Sequence, residues 1–223
     1  MALNAAEEET LEAVKVWWQD NGRQLLIVVA LVVGGYAGWT LWQNSQQTTA
    51  TAASELFEQV LELTLETGAQ DAVSEDEGRQ VIALAESLRQ EFPGSDYARF
   101  ATLFAAQQQV RLEDLPAAEE ALRWILNNPR SGLLSSEDEG LRLTASLRLG
   151  RVLLAQGEAD SALQLINSLE PGPFEAGFSE LRGDIYVALD RPLDARDAYV
   201  AAQQAGSTSQ NLQLKLNSLA ADS

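Results

Sequence analysis

Hydrophobic and polar positions divide the chain into one unbroken apolar run and a long train of helical-period segments. The run, Leu25 to Trp42, holds 18 residues without a charge, and the charge-free stretch extends from Gln24 to Ser54. As a helix the run spans about 27 Å, close to the hydrocarbon thickness of a bilayer. Beyond it apolar residues recur at spacings of three and four, with no strand-like alternation, and the prolines and most glycines fall between the periodic stretches. This pattern predicts helices over 10–20, 23–66, 78–91, 95–111, 115–127, 139–156, 159–168, 175–189, 193–204 and 209–220. In the 23–66 helix the part after the run places Leu56, Val60 and Leu63 on one face.

The run reads as a single transmembrane helix over 24–43, between a short segment 1–23 and a large domain 44–223. A core helix of this length would carry charges. A cleaved signal peptide is the stronger rival, with Ala50-Thr51-Ala52 as the cleavage site. It is disfavoured by the acidic segment ahead of the run (Glu7, Glu8, Glu9, Glu12) and by an apolar stretch longer than such peptides carry. Lys15 and Arg23 precede the span, and the next basic residue is Arg79. The N-terminus is therefore expected in the cytoplasm and the large domain across the membrane, with Trp17, Trp18, Trp39 and Trp42 at the two interfaces.

Within the large domain the chain repeats itself. Gly150/Gly183, Leu153/Tyr186, Ala162/Ala195 and Ile166/Tyr199 match at one offset of 33 residues. A more diverged copy runs through Leu103, Ala106, Ala118 and Leu122, set apart by the Asn127–Gly140 loop. Small residues at two of these positions let paired helices approach, and large ones fill the groove between them. The spacings resemble tetratricopeptide-type repeats, so the fold class is all-α: one transmembrane helix followed by a tetratricopeptide-like α-solenoid. The final segment, with Leu212, Leu216 and Leu219 at helical spacing and Lys215 directed away, reads as a terminal capping helix. Ser-Glu-Asp-Glu-Gly occurs twice, at Ser74–Gly78 and Ser136–Gly140. The pairs Ser74/Glu77 and Ser136/Glu139 have capping-box spacing. A calcium loop is the rival reading of these acids, but the ligand spacing it needs is missing.

Composition narrows the chemistry. From Ser54 onward 28 acidic residues face 13 basic ones, within a total charge of −18, which repels phosphate backbones and excludes nucleic acid as a partner. Cysteine and histidine are both absent. That removes thiol catalysis, histidine-based triads and ordinary zinc sites together. Of two lysines, Lys15 precedes the span and Lys215 has Leu212 where a Ser-x-x-Lys nucleophile needs serine. No catalytic, metal or cofactor site is expected, and a membrane-anchored enzyme is the least favoured class.

The order of these pieces resembles the YfgM family, ancillary inner-membrane subunits of the bacterial Sec translocon. The resemblance lies in Glu12-Ala13-Val14-Lys15, Trp17-Trp18, Asn21-Gly22, Gly38-Trp39-Thr40-Leu41-Trp42, Leu147-Arg148-Leu149, Leu181-Arg182-Gly183 and the ending Leu212 to Leu219. This chain departs from the family in having fewer lysines and a longer Asn127–Gly140 loop. The resemblance implies a periplasmic domain on an inner-membrane anchor, with the SecYEG translocon, a PpiD-like membrane chaperone, client polypeptides and membrane lipid as partners. It also implies a non-catalytic role in passing emerging proteins to periplasmic chaperones. A generic membrane-tethered repeat scaffold in envelope assembly is the alternative.

Two surfaces are candidates for binding. Gly34 and Gly38 lie on one face of the membrane helix, where a partner helix could approach closely, although glycine is common in such helices. In the repeats, aligning on Ala106, Gly150 and Gly183 places Leu103, Gln107, Thr144, Leu147, Arg151, Glu180 and Asp184 on the inner stripe of a polypeptide-binding groove. Leu147 reads more as core than as contact. Arg151, Glu180 and Asp184 are the favoured contacts, having no packing reason to face inward.

Overall fold

The computed structural model describes residues 15–18, 23, 31–36, 39–40, 49–64, 73–129, 138–207 and 210–221. The chain divides into two units, Met1–Thr51 and Ala52–Ser223. In the first, 15–18, 31–36 and 39–40 are helical, and Leu31, Val32, Val33, Tyr36 and Trp39 are exposed. Among the described residues no helix is long and apolar enough to cross a membrane. Most of the expected span 24–43 lies outside them.

The second unit is helical throughout its described length, apart from turns. Helix α1, described over 49–64, contributes 52–64 to this unit; then follow α2 (Glu75–Glu91), α3 (Asp96–Arg111), α4 (Leu115–Asn127), α5 (Glu139–Ala155), α6 (Ala159–Asn167), a 3-10 turn (Gly172–Phe174), α7 (Glu175–Ala188), α8 (Pro192–Gln204) and α9 (Gln210–Ala221). From α2 onward the ends fall within a few residues of the sequence expectation, and their chemistry explains the differences. Helix α2 starts inside the acidic pentapeptide: Ser74 Oγ accepts from Glu77 N, while Glu77 Oε2 accepts from Ser74 N at 2.8 Å. These Ser74 hydrogen bonds hold the Glu77 carboxyl below its ordinary range. The second copy behaves differently. Asp138 caps α5, its Oδ1 accepting from Leu141 N at 3.0 Å, and Glu139 is the first helical residue; Ser136, the start of the expected second box, lies outside the described residues. An aspartate one step ahead of the helix already presents the carboxylate that the first free N–H groups need. Pro192 opens α8, where its missing N–H costs nothing.

Each helix from α2 to α9 packs on the next, and α5 also touches α3 and α7. Thus α3/α4, α5/α6 and α7/α8 are three successive hairpins with their first helices side by side, a solenoid arrangement. Helix α1 packs on α2 and α3 through Ala53, Val60, Leu56, Phe57 and Leu63, with the Phe57 ring 5.5 Å from Tyr97 and 6.4 Å from Phe104.

Glycine sets the closest approach within two hairpins. A Cβ on Gly150 would lie 2.8 Å from Leu181 Cδ2 and 3.2 Å from Ile166 Cγ2; one on Gly183 would lie 2.3 Å from two atoms of the Tyr199 ring. The matched pairs Gly150/Gly183 and Ile166/Tyr199 are thus the two sides of one recurring contact. In the diverged hairpin Ala106 and Leu122 join the same core cluster. The third homologous row is polar: Thr102, Ser146 and Ser179 occupy one repeat position and are all buried.

Candidate functional site

The first helices of the hairpins carry the site. Offsets of 44 residues from α3 to α5 and 33 from α5 to α7 bring Leu103, Leu147 and Glu180 into one row and Gln107, Arg151 and Asp184 into the next. A further row, Val110, Leu154 and Val187, lies one step along and was not anticipated. Val110 is 43% and Val187 48% exposed, so the two ends of this row are open to solvent, while Leu154 between them packs against the main core. The same offsets, applied to every position instead of four, would have revealed it.

The predicted residues play unequal parts. Leu103 and Leu147 are partly buried against the main core. The Leu147 side chain reaches α7, its Cδ2 lying 3.1 Å from where a Cβ on Gly177 would sit. Thr144 Oγ1 donates to its own helix at Gly140 O, 2.7 Å away. Gln107 and Arg151 are exposed. Gly34 is helical and a Cβ there would meet nothing within 4 Å; Gly38 lies outside the described residues.

Glu180 and Asp184 have a packing reason after all. Lys215 on α9 turns inward, its Nζ 3.0 Å from Glu180 Oε1 and 2.7 and 2.9 Å from the two Asp184 oxygens. Asp184 Oδ1 also accepts from the Tyr199 hydroxyl at 2.7 Å. Leucine periodicity puts Leu212 in the small core formed with Ala195, Tyr199 and Ala202. Lys215, three residues on, comes over the α7 carboxylates, whose charge outweighs the cost of half-burying it. Burial alone would lower the Lys215 pKa; hydrogen bonds and charge from Asp184 and Glu180 raise it on balance. Burial, and then Asp184, push the Tyr199 phenol far up. The leucine face alone places Lys215 outside; the α7 carboxylates overturn that expectation by drawing it inward.

At the other end of the stripe an open cleft of about 360 Å³ lies between α3, α4 and α5. Its walls are Ala106, Val110, Leu115, Leu122, Val152 and Ala155, with Gln107 and three arginines, Arg111, Arg148 and Arg151, around them. Arg148 Nη1 donates to Leu103 O at 3.1 Å. Burial, and then the neighbouring Arg151 charge, lower the Arg148 pKa. The cleft is apolar and edged with cations, and its lining side chains are not acid–base or nucleophilic groups. Among the described residues no three acidic side chains converge to hold a metal ion.

Known proteins resemble the chain in sequence from end to end. A family model described as a tetratricopeptide repeat-like domain matches residues 15–221. The protein named ancillary SecYEG translocon subunit in Haemophilus influenzae is 32% identical over 221 residues, covering 98% of this chain and 100% of that one. The chain belongs to the ancillary SecYEG translocon subunit family. Ancillary translocon subunits of Escherichia coli, 30% identical over 98% of this chain and 99% of theirs, and of Neisseria gonorrhoeae, 29% identical over 98% and 100%, show the same end-to-end likeness. In this family member the repeat-like match takes in both the apolar run and helices α1 through α9. No solved structure is significantly similar to the chain.

Proposed function

We propose that this protein is a non-catalytic inner-membrane subunit attached to the Sec translocon, whose periplasmic repeat domain links emerging proteins to periplasmic chaperones. Likeness to named ancillary SecYEG translocon subunits over their full length carries the reading. Residues 24–43 anchor the chain once, with 1–23 in the cytoplasm and 44–223 in the periplasm; the charge-free run and the basic residues ahead of it support this. The inner stripe of α3, α5 and α7 takes an extended or helical polypeptide, because stacked hairpins form long open surfaces. The absence of histidine and cysteine supports a binding role over catalysis.

Affinity isolation from membranes in mild detergent tests the assignment. SecYEG and a PpiD-like membrane-anchored chaperone should co-purify. Recovery of a different envelope complex without SecYEG would favour the generic scaffold. Protease added to spheroplasts should digest the repeat domain, and a protected domain would overturn the topology.

A further inference from the structure

We infer that the cleft between α3, α4 and α5 binds a polypeptide segment in which acidic side chains flank an apolar one. This deepens, and rests on, the reading of the inner face as a polypeptide groove. The ground is charge complementarity. In a domain where acids outnumber bases two to one, a basic side chain ordinarily finds a carboxylate, and most do. Among the described basic residues from Arg79 onward, only Arg111, Arg148, Arg151 and Arg196 have no carboxylate within 4.0 Å. Three of those four line one apolar cleft. Arg111 also lines a second cavity with Glu75, Glu113 and Asp114, yet among the described residues none of these forms an ion pair with it.

The cleft therefore concentrates positive charge and apolar surface on a molecule that is otherwise strongly negative. Arg148 already spends one donor on Leu103 O, but Arg111 and Arg151 are exposed with their guanidinium groups uncommitted. Guanidinium forks match carboxylates in geometry, and the apolar walls with exposed Val110 match an aliphatic side chain. Three cations exceed what a single terminal carboxylate satisfies, which favours acidic side chains spread along a segment. The surrounding negative field turns away long polyanions, so only a segment that seats its carboxylates among the arginines gains.

The test uses the full chain in phosphatidylcholine nanodiscs and fluorescein-labelled peptides of alternating leucine and glutamate, leucine and glutamine, or leucine and lysine. The leucine–glutamate peptide should bind, and should weaken about tenfold when Arg111→Gln is combined with Arg151→Gln, both at exposed positions that leave the melting curve in place. Arg111→Glu with Arg151→Glu should transfer preference to the leucine–lysine peptide. Equal binding of the glutamate and glutamine peptides, unaffected by either double variant, overturns the inference and leaves the groove reading standing. If no peptide binds, the groove reading fails as well. Arginine-dependent binding of phosphatidylglycerol vesicles without peptide binding would make the cleft a lipid site and overturn the inference.

Discussion

Replacing Gly183 by alanine adds one methyl group where α7 and α8 come closest. Its carbon would lie 2.3 Å from both Cδ1 and Cε1 of Tyr199, far inside van der Waals contact. The ring cannot swing aside cheaply: Tyr199 is 2% exposed, and its hydroxyl is held by Asp184 at 2.7 Å. Overpacking of this kind costs about 1–3 kcal/mol. Alanine returns up to about 1 kcal/mol of helix propensity. The rigid contact puts the clash in the upper part of its range, for a net loss of about 1–2 kcal/mol, or a fall in Tm of about 3–6 °C in a domain this size. Gly150→Ala is the control. Its Cβ meets methyl ends of Leu181 and Ile166 at 2.8 and 3.2 Å, which can yield by tenths of an ångström, so clash and propensity nearly cancel. Urea denaturation followed by far-ultraviolet circular dichroism reads both. Adding Tyr199→Leu to Gly183→Ala should cost less than the sum of the single changes, because the clashing ring is gone. Strict additivity, or a Gly183→Ala protein as stable as the Gly150→Ala one, would refute the packing argument.

Ser74→Ala should lose about 1 kcal/mol of support at the start of α2, seen as faster amide exchange in its first turn with α7 and α8 unaffected. Raising the pH should loosen α9 before the remaining helices. The Lys215 pKa is raised above 10.5 in the folded state and that of Tyr199 above 10.0, so their stabilisation is complete below those values and drains as pH climbs past them; a C-terminal fluorophore should report release there. Glu180→Gln with Asp184→Asn should cause that release at neutral pH. Gly34→Leu with Gly38→Leu should reduce co-isolation of membrane partners while leaving the repeat domain's melt unchanged.

The helices were legible because their starts, stops and apolar periods agree; Asp114, Ser95 and Ser74 each cap where the pattern changes. The recurring Gly–large contact was legible from a single offset. Side-chain partners across hairpins were not. Lys215 and Glu180 are 35 residues apart, and only the docking of α9 brings them together. The same limit hid the arginine cleft, since Arg111 and Arg148 belong to different repeats and neither stands out from its own helix. The buried hydroxyl row Thr102, Ser146 and Ser179 is not legible in the sequence, because serine and threonine at helix positions ordinarily suggest exposure.

The Lys215 clasp also bears on how such an array can change length. A solenoid has no intrinsic end: each hairpin offers the next one a template, and two copies could in principle dock end to end. Here the last template is occupied by α9, which turns exposed Gln213, Leu214 and Asn217 outward and fastens itself to acids on the final hairpin. New hairpins would not find the α7/α8 surface free while α9 occupies it. A lengthened version would have to insert them ahead of Gln210, and the new final hairpin would have to supply its own pair of acids to receive the lysine. Helix α9 and the hairpin it covers therefore have to change together, each holding half of a reciprocal lock.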